Sequence, residues 1–320
     1  MKTNWICSRK ACFLMVFLTV ALVGMAVGES RAMIYGIEGP VFNLTARSDY
    51  IQTPDGGNLL IWGYGNGGQR VQYPGPTLIV NQNDVVTINL QNTLPVPVSM
   101  IFPGQEGVSE TGGAQGLLAR EAPAGGSVSY SFTASHPGTY LYQSGTRPEL
   151  QVEMGLLGAI IVRPTGYDPL APTAYGQADS SYDREYLFLL SEMDPRIHEL
   201  VACEGPAGLE ATDYLSNYFP NYWFINGRCA PDTMLAPFVP WLPVQPYNCM
   251  PMMHPGEKLL MRVVVAGRDL HPFHHHGNHA RTLARDGRLL ESFTGAGADL
   301  STLDFRSEER RVGKECRSRW

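Results

Sequence analysis

The 320-residue sequence has few of the features that mark helical, membrane-spanning or nucleic-acid-binding proteins. Long stretches with a 3.6-residue apolar period are missing, while Gly (34) and Pro (24) are numerous, which favours many short strands over helices. Beyond residue 28 no segment is long and apolar enough to cross a membrane. The formal net charge of -6 conceals a more acidic middle, because both ends are net basic. So acidic a body argues against phosphate contacts with nucleic acid.

Cysteine is also sparse in the body of the chain. Six cysteines are present, of which only Cys203, Cys229 and Cys249 lie between the N-terminal segment and the C-terminal tail. Three is odd, so at most one internal disulfide is expected. Cys229 with Cys249 is the favoured pair, because both flank one proline-rich loop.

Histidine is scarce except at one place. Five of the eight histidines lie within nine residues, His271-Pro-Phe-His-His-His-Gly-Asn-His279. Imidazole is the commonest protein ligand for copper, zinc and iron, and residues two apart on an extended strand point the same way, so His274 and His276 can converge. The preceding segment 259–265 reads as a buried strand that would hold the cluster rigidly. The cluster predicts a metal site; the alternative is a polar, histidine-rich turn.

Residues 1–28 have the layout of a secretory signal. A basic start is followed by an apolar run over 11–23 and by small residues around 26–28. This predicts export to a periplasmic or extracellular location, an oxidising environment in which disulfides persist. The alternative is an uncleaved membrane anchor.

The rest of the chain divides into two strand-rich units, 33–165 and 184–305, joined by a linker over 166–183. Alternation of apolar and polar residues and short apolar runs predict strands at these segments: 78–80, 84–90, 126–132, 138–142, 155–162, 184–190, 222–227 and 259–265. Short strands at this spacing are typical of a Greek-key sandwich. A short helix is predicted over 208–219.

Several motifs resemble those of the multicopper oxidases, a family built from repeated plastocyanin-like (cupredoxin) domains. The motifs in family order are Tyr73-Pro-Gly-Pro-Thr77, Gly138-Thr-Tyr-Leu-Tyr-Gln-Ser144, Ile225-Asn-Gly227, His254-Pro-Gly-Glu257, the histidine cluster and Ala284-Arg-Asp-Gly287. The resemblance covers most of 33–300. It implies an all-β fold of two consecutive cupredoxin-like Greek-key β-sandwich domains, the second incomplete.

The resemblance also implies copper as the cofactor. By position, His271 resembles the ligand of the mononuclear type 1 copper, His274 a type 2 ligand and His276 a type 3 ligand. In the family, type 1 copper takes electrons from a small reductant or metal ion and passes them to a trinuclear cluster that reduces dioxygen to water. No copper is assigned to His275 or His279, and no residue is assigned a catalytic role.

Two departures from the family pattern limit this expectation. The first domain of the family supplies two His-X-His pairs, and the corresponding positions here are Ile101, Pro103, Gln143 and Gly145. A late His-Cys-His strand, which supplies the type 1 thiolate, is absent from the sequence, and the three cysteines of the body precede the histidine cluster. The chain is therefore expected to bind copper partially and not to turn over alone.

The tail over 306–320 resembles a translated sequencing adapter, because its composition turns abruptly basic after an acidic stretch. The expectation is that the natural protein continues past Phe305 and that this chain is a fragment; the alternative is a genuine basic tail.

Two other functions remain open at this point. One is a non-catalytic copper-binding or carrier protein, which would use the histidine cluster and Cys249-Met-Pro-Met-Met-His254, whose sulfur ligands suit Cu(I). For that segment the favoured interpretation is a methionine-lined loop packed over the second domain. The other is a mononuclear zinc or iron enzyme on a different β-barrel. The fold cannot choose among these functions.

Overall fold

The computed structural model describes residues 34–276 and 280–290, together with the backbone of 304–305. The predicted signal segment, His279 and the tail over 306–320 lie outside the described residues. The described part is almost all β-structure, and none of its helices is long and apolar enough to span a membrane. The strands are β1 Ile37–Glu38, β2 Val41–Gln52, β3 Asn58–Asn66, β4 Leu78–Asn81, β5 Val85–Asn92, β6 Ser109–Gly112, β7 Ser127–Thr133, β8 Gly138–Gln143, β9 Leu157–Arg163, β10 Arg184–Met193, β11 Tyr222–Ile225, β12 Leu259–Val265, β13 Ala280–Arg281, β14 Ala284–Arg285, β15 Arg288–Leu289 and β16 Asp304–Phe305. The helices are α1 Pro148–Gln151 and α2 Pro195–Glu204, with 3-10 turns at Ala178–Ser180, Pro206–Ala211 and Asp232–Met234.

Two sheets form the first sandwich. One has the strand order β3-β2-β5-β7-β6 and the other the order β1-β4-β9-β8. In β5 and β7 every second residue is buried, and these side chains meet those of β4 and β9 in one core. Each fully buried Ile, Leu or Phe contributes roughly 1.5–3 kcal/mol relative to exposure, so this alternation holds the sheets face to face. The all-β prediction is confirmed, as are the predicted strands.

The two longest neighbouring strands, β2 and β3, were not among the predicted segments. They pair antiparallel over nine residues, from Leu44 opposite Asn66 to Gln52 opposite Asn58. Their sequences lack a clean apolar alternation, because β2 carries polar residues and β3 contains glycines. At Gly63 a Cβ would lie 2.8 Å from the Gln72 carbonyl oxygen, so glycine permits a close approach of backbone that a pattern of apolar residues cannot reveal.

The predicted helix over 208–219 is wrong in position. The α-helix is α2, and only Pro206–Ala211 within the following segment forms a 3-10 turn. Asp194 caps α2 by accepting a hydrogen bond from the Arg196 amide, and Pro195 occupies the first turn. Burial alone would raise the pKa of Asp194, but hydrogen bonds from Arg196 and the Phe219 amide outweigh it and lower that pKa.

Strand β10 lies at the centre of the molecule, and both of its faces are buried. Alternate side chains of a strand point to opposite faces. Leu187, Leu189 and Met193 enter the core shared with the first sandwich, while Phe188 and Leu190 enter a second small core with Cys249. Strand β10 pairs antiparallel with β11 and parallel with β12. Burial on both faces explains the nearly continuous apolar run that predicted this strand.

A buried ion network joins the first sandwich to this central sheet. The Arg163 guanidinium of β9 donates two hydrogen bonds to the Glu185 carboxylate of β10, at 2.7 and 2.5 Å. Arg262 of β12 donates to the same carboxylate at 2.9 Å and to the Thr139 hydroxyl of β8 at 3.1 Å. The side chains of Arg163, Glu185 and Arg262 are 8%, 3% and 3% exposed. Three strands from both units therefore meet at one carboxylate, and a fourth, β8, joins the network through Arg262.

The network fixes the charge state of Glu185. Burial alone would raise the pKa of this carboxyl, but the two guanidinium groups outweigh burial and lower the pKa below its usual value. The carboxylate thus stays ionised between two buried cations.

Replacing Glu185 should destabilise the protein strongly. We expect Glu185→Ala to lower the free energy of unfolding by about 3–5 kcal/mol, because two buried guanidinium groups lose their counter-charge. Urea unfolding followed by tryptophan fluorescence measures the change. Glu149→Ala is the matched control, since its partner Arg147 is exposed and such surface pairs contribute roughly 0–1 kcal/mol. Equal losses in the two variants would contradict a stabilising role of the network.

The effect of Glu185 should also depend on pH. Its folded-state pKa lies below that of a glutamate in an unfolded chain, about 4.3. The stability that it contributes is therefore fully present above about pH 4.3 and is lost as pH falls through the lower folded-state pKa. We expect the difference in unfolding free energy between the wild type and Glu185→Gln to be constant from pH 7 to pH 5 and to shrink below pH 4. If the difference in unfolding free energy between the two proteins grew as the pH fell, the pKa of Glu185 would be raised on folding and not lowered.

Candidate metal centre

The histidine cluster follows β12 directly, but that strand is not buried as predicted. β12 lies at the edge of the described three-stranded sheet, and Val263 and Val265 are 39% and 46% exposed. Only Arg262 and Val264, which face the inside, are buried, at 4% and 9%. A sequence cannot show which flank of a strand has a neighbour, so the apolar run alone overestimated burial. The rigidity of the cluster must come from other contacts.

The first of these contacts is a pair between His271 and Glu192. The Nε2 atom of His271 lies 2.6 Å from Oε2 of Glu192, and the two side chains are 9% and 0% exposed. The other carboxylate oxygen accepts hydrogen bonds from the Arg268 and Asp269 amides, at 2.5 and 2.9 Å. A side chain at Gly267, which has a positive φ of 122°, would collide with this carboxylate. Glu192 at the end of β10 therefore anchors the whole turn that leads into the cluster.

A second contact holds the next part of the segment. The Phe273 ring meets the Phe188 ring edge-on, with centroids 5.3 Å apart. Phe188 and Glu192 are four residues apart in β10 and so face the same side of the strand. His271 and Phe273 are likewise two apart in the cluster, and both lie against that face.

The following histidines alternate in direction. His274 and His276 are exposed, and their ring centroids lie 4.9 Å apart at an interplanar angle of 70°. His275 points the other way: its Nε2 atom is buried and has no hydrogen-bond partner among the described residues. The rings of His274 and His276 thus lie side by side, whereas the Nε2 atom of His275 is buried.

The donor set fits copper held by a few imidazoles but not a complete copper cluster. Within residues 34–276 and 280–290, no three His, Cys, Asp or Glu side chains converge closely enough to hold a metal ion. Two adjacent imidazoles suit copper by ligand type. The Nε2 contact of His271 with a carboxylate leaves Nδ1 as the nitrogen for a metal, an arrangement common among metal-binding histidines.

Three of the four positions that the resemblance equates with metal ligands, Ile101, Gln143 and Gly145, lie together in the first sandwich. Ile101 and Gln143 pair through backbone hydrogen bonds of 2.8 and 3.2 Å. At Gly145 a Cβ would lie 2.7 Å from the Ile101 side chain, so Ile101 already occupies the space that a side chain there would need. Pro103 is exposed and offers no donor atom. This part of the molecule keeps the strand geometry but supplies no imidazole.

The remaining histidines and cysteines have other environments. His198 is fully buried on α2, and its Nδ1 donates to the Leu60 carbonyl at 2.6 Å. Cys203, Cys229 and Cys249 are all free thiols, so the expected Cys229–Cys249 disulfide is wrong. Burial raises the pKa of Cys229 and of Cys249 to about 12, which makes both poor thiolate donors.

Sequence reasoning missed Glu192, the residue that anchors the cluster. A signal was present: β10 carries acidic residues inside an apolar run, and carboxylates are almost never buried unless they are paired. That signal predicts a buried, partnered carboxylate. It cannot name the partner, because Glu192 and His271 are 79 residues apart in the chain.

Comparisons with known proteins agree with this geometry. A family model described as multicopper oxidase matches residues 55–166. The chain is 36% identical over 161 residues to multicopper oxidase MCE of Talaromyces pinophilus, which covers 50% of this chain and 24% of that protein. It is 32% identical over 147 residues to the iron transport multicopper oxidase fetC of Epichloe festucae, which covers 43% of this chain and 22% of that protein. The chain thus spans about a quarter of the length of these curated relatives.

A solved structure shows the same fold. The crystal structure of blue copper oxidase from Nitrosomonas europaea superposes with a TM-score of 0.58 and 20% sequence identity, covering 78% of this chain and 68% of that one. The superposition supports the cupredoxin-like architecture of the described strands.

Proposed function

We propose that the chain, whose residues 55–166 match a multicopper oxidase family model, is the copper-binding portion of an exported oxidoreductase of that type. The observation that best supports this proposal is the contact of 2.6 Å between Nε2 of His271 and Oε2 of Glu192. It leaves the other ring nitrogen of His271 available to a metal. In the proposed site His271, His274 and His276 bind copper. The same proposal includes three further points: two domains at 33–165 and 184–305, a secretory signal over 1–28, and a chain that is a fragment of a longer protein.

Each residue has a distinct part in this proposal. Glu192 fixes the His271 ring by accepting from Nε2 and holds the turn through two amides, so the imidazole is oriented before the metal arrives. His274 and His276 offer a pair of adjacent imidazoles on the exposed side. Copper bound there would supply one-electron redox chemistry. In the whole protein the electrons would come from a small reductant or metal ion and would pass to dioxygen.

Copper binding should depend on the three histidines and on Glu192. We expect the affinity of the chain for Cu(II) to fall by at least about ten-fold in a His274→Ala/His276→Ala variant, since both exposed imidazole donors are lost. For Glu192→Ala we expect a loss of about 10–100-fold, the usual effect of removing the carboxylate behind a metal-binding histidine. Calorimetric titration gives the affinity, and electron paramagnetic resonance gives the number of nitrogen donors.

His275→Leu is the matched control for these variants. It removes an imidazole from the same segment whose Nε2 is buried and turned away from the neighbouring rings. Copper affinity should stay within two-fold of wild type. If His275→Leu weakened binding as much as the double variant, the assignment to His274 and His276 would be wrong.

The copper-loaded chain should bind copper but should not catalyse the reduction of dioxygen. A type 1 centre needs a thiolate, and Cys229 and Cys249 are buried thiols with pKa values raised to about 12. We therefore expect no intense blue thiolate-to-copper band and no oxygen consumption with a phenolic donor. Cys203→Ser, which removes the exposed thiol, should leave the spectrum unchanged. A blue band together with oxygen uptake would show that the chain forms a complete centre.

A carrier of copper is the second candidate function. The replacement of all four first-sandwich ligand positions favours it, because Ile101, Pro103, Gln143 and Gly145 leave that unit without the imidazoles that a trinuclear cluster needs. Binding of copper without oxygen reduction fits this function. It would be preferred if the complete gene lacked a downstream His-Cys-His strand.

A further inference from the structure

A cavity of about 570 Å³ opens beside the first residues of β10. Its walls come from the start of the described chain at 34–35, from the loop segment 234–237, from β10 and from the loop segment 247–252. Three methionines line it: Met234, Met250 and Met252. None of the lining side chains belongs to the histidine cluster, so the cavity is a separate feature of the molecule.

The methionines of this cavity differ from those of the cores. Met100, Met154 and Met193 are 0–1% exposed and fill space between packed side chains. Met234, Met250 and Met252 are instead 58%, 41% and 62% exposed. The loop lies against β10 of the second unit, with Cys249 in a core beside Phe188 and Leu190, but the side chains of Met250 and Met252 are not packed into that core. Thioether groups from two separate loops face one open space.

The two loops that carry these methionines are firmly held. The guanidinium of Arg228 is completely buried and donates to the carbonyls of Gln245, Ala236 and Pro246 at 2.8, 3.0 and 3.2 Å. The Cys249 amide donates to the Thr233 carbonyl at 2.8 Å, which ties one loop directly to the other. The cavity thus has fixed walls.

A third contact fixes the methionine segment against β10. The Tyr186 hydroxyl accepts a hydrogen bond from the Met252 amide at 3.0 Å and lies 3.4 Å from the Met252 carbonyl oxygen. Tyr186 also lines the cavity. The backbone from Cys249 to Met252 is therefore held by a hydrogen bond at each end, so the positions of the methionine side chains are constrained.

The charged groups at the cavity wall are already compensated. Glu185 is paired with two guanidinium groups, and Arg184 lies 3.1 Å from the Glu257 carboxylate. Among the other lining side chains, the three methionines supply neutral, soft donors. Thioether sulfur selects soft monovalent copper over hard divalent ions, and a monovalent ion has the smaller desolvation cost in a site without counter-charge.

We propose that Met234, Met250 and Met252 form a binding site for a soft monovalent cation, Cu(I). The site needs no proton release, because a thioether carries no proton at any accessible pH. Binding should therefore persist at pH 5, where unperturbed imidazoles with pKa values of about 6.5 are mostly protonated and compete poorly. The proposal involves binding alone and no change in oxidation state.

The test uses Ag(I), a redox-stable analogue of Cu(I), at pH 5 and the full chain labelled with carbon-13 at the methionine methyl groups. One equivalent of Ag(I) should shift the methyl resonances of Met234, Met250 and Met252. Met253 is the internal control, because it lies in the same loop at 43% exposure but does not line the cavity. Its resonance should not move.

Variants provide the second measurement. The triple Met→Leu variant at 234, 250 and 252 should lose one equivalent of tightly bound Ag(I) in equilibrium dialysis, whereas Met253→Leu should keep it. Leucine for methionine conserves volume and costs less than about 1.5 kcal/mol, and circular dichroism verifies folding. An unchanged stoichiometry in the triple variant, or equal shifts at Met253, would overturn the proposal. Neither result depends on copper binding at the histidine cluster.

Discussion

The burial of strand β10 on both faces is the constraint on which the rest of the structure depends. The strand carries two carboxylates, Glu185 and Glu192, seven residues apart and therefore on opposite faces. A buried carboxylate without a partner costs several kcal/mol, so each must be compensated where it lies. Glu185 is compensated by arginines from β9 and β12, which fixes how the central sheet meets the first sandwich. Glu192 is compensated by two amides and His271, which fixes where the histidine cluster begins.

This dependence explains how much the sequence could reveal. Strands β5 and β7 were predictable because one face of each is buried, so apolar and polar residues alternate along the sequence. The ends of α2 were also readable, from Asp194, Pro195 and Gly205, although the helix was placed elsewhere. The partners of Glu185 were not readable, since they lie 22 and 77 residues away. Burial of β12 was overestimated for the same reason: exposure of a strand depends on neighbours that local pattern does not encode.

The first sandwich does not depend on the side chains at Ile101 and Gln143 for its strand pairing. The contact between Ile101 and Gln143 is made by backbone amides and carbonyls, which every side chain at these positions leaves available. In the core behind it Tyr64 and Tyr142 are in contact at 5.6 Å, and of the four positions only Ile101 packs against this core. Imidazoles can therefore be exchanged for Ile, Pro, Gln and Gly without loss of the sandwich. The similarity to multicopper oxidases lies in the scaffold, whereas copper chemistry must be argued from the side chains themselves.

Methionine serves two purposes in this chain, and the difference lies in what surrounds the sulfur. In the cores its flexible chain fills gaps, and burial stabilises each side chain by roughly 1.5–3 kcal/mol. Leaving Met234, Met250 and Met252 at 41–62% exposure gives up much of that stabilisation while their loops stay rigid. A loop that is held by a buried arginine has no need of exposed apolar side chains for its own folding. Their shared orientation into one cavity is accounted for if the sulfur atoms act as ligands, since a thioether is available to a soft metal only where it is not buried.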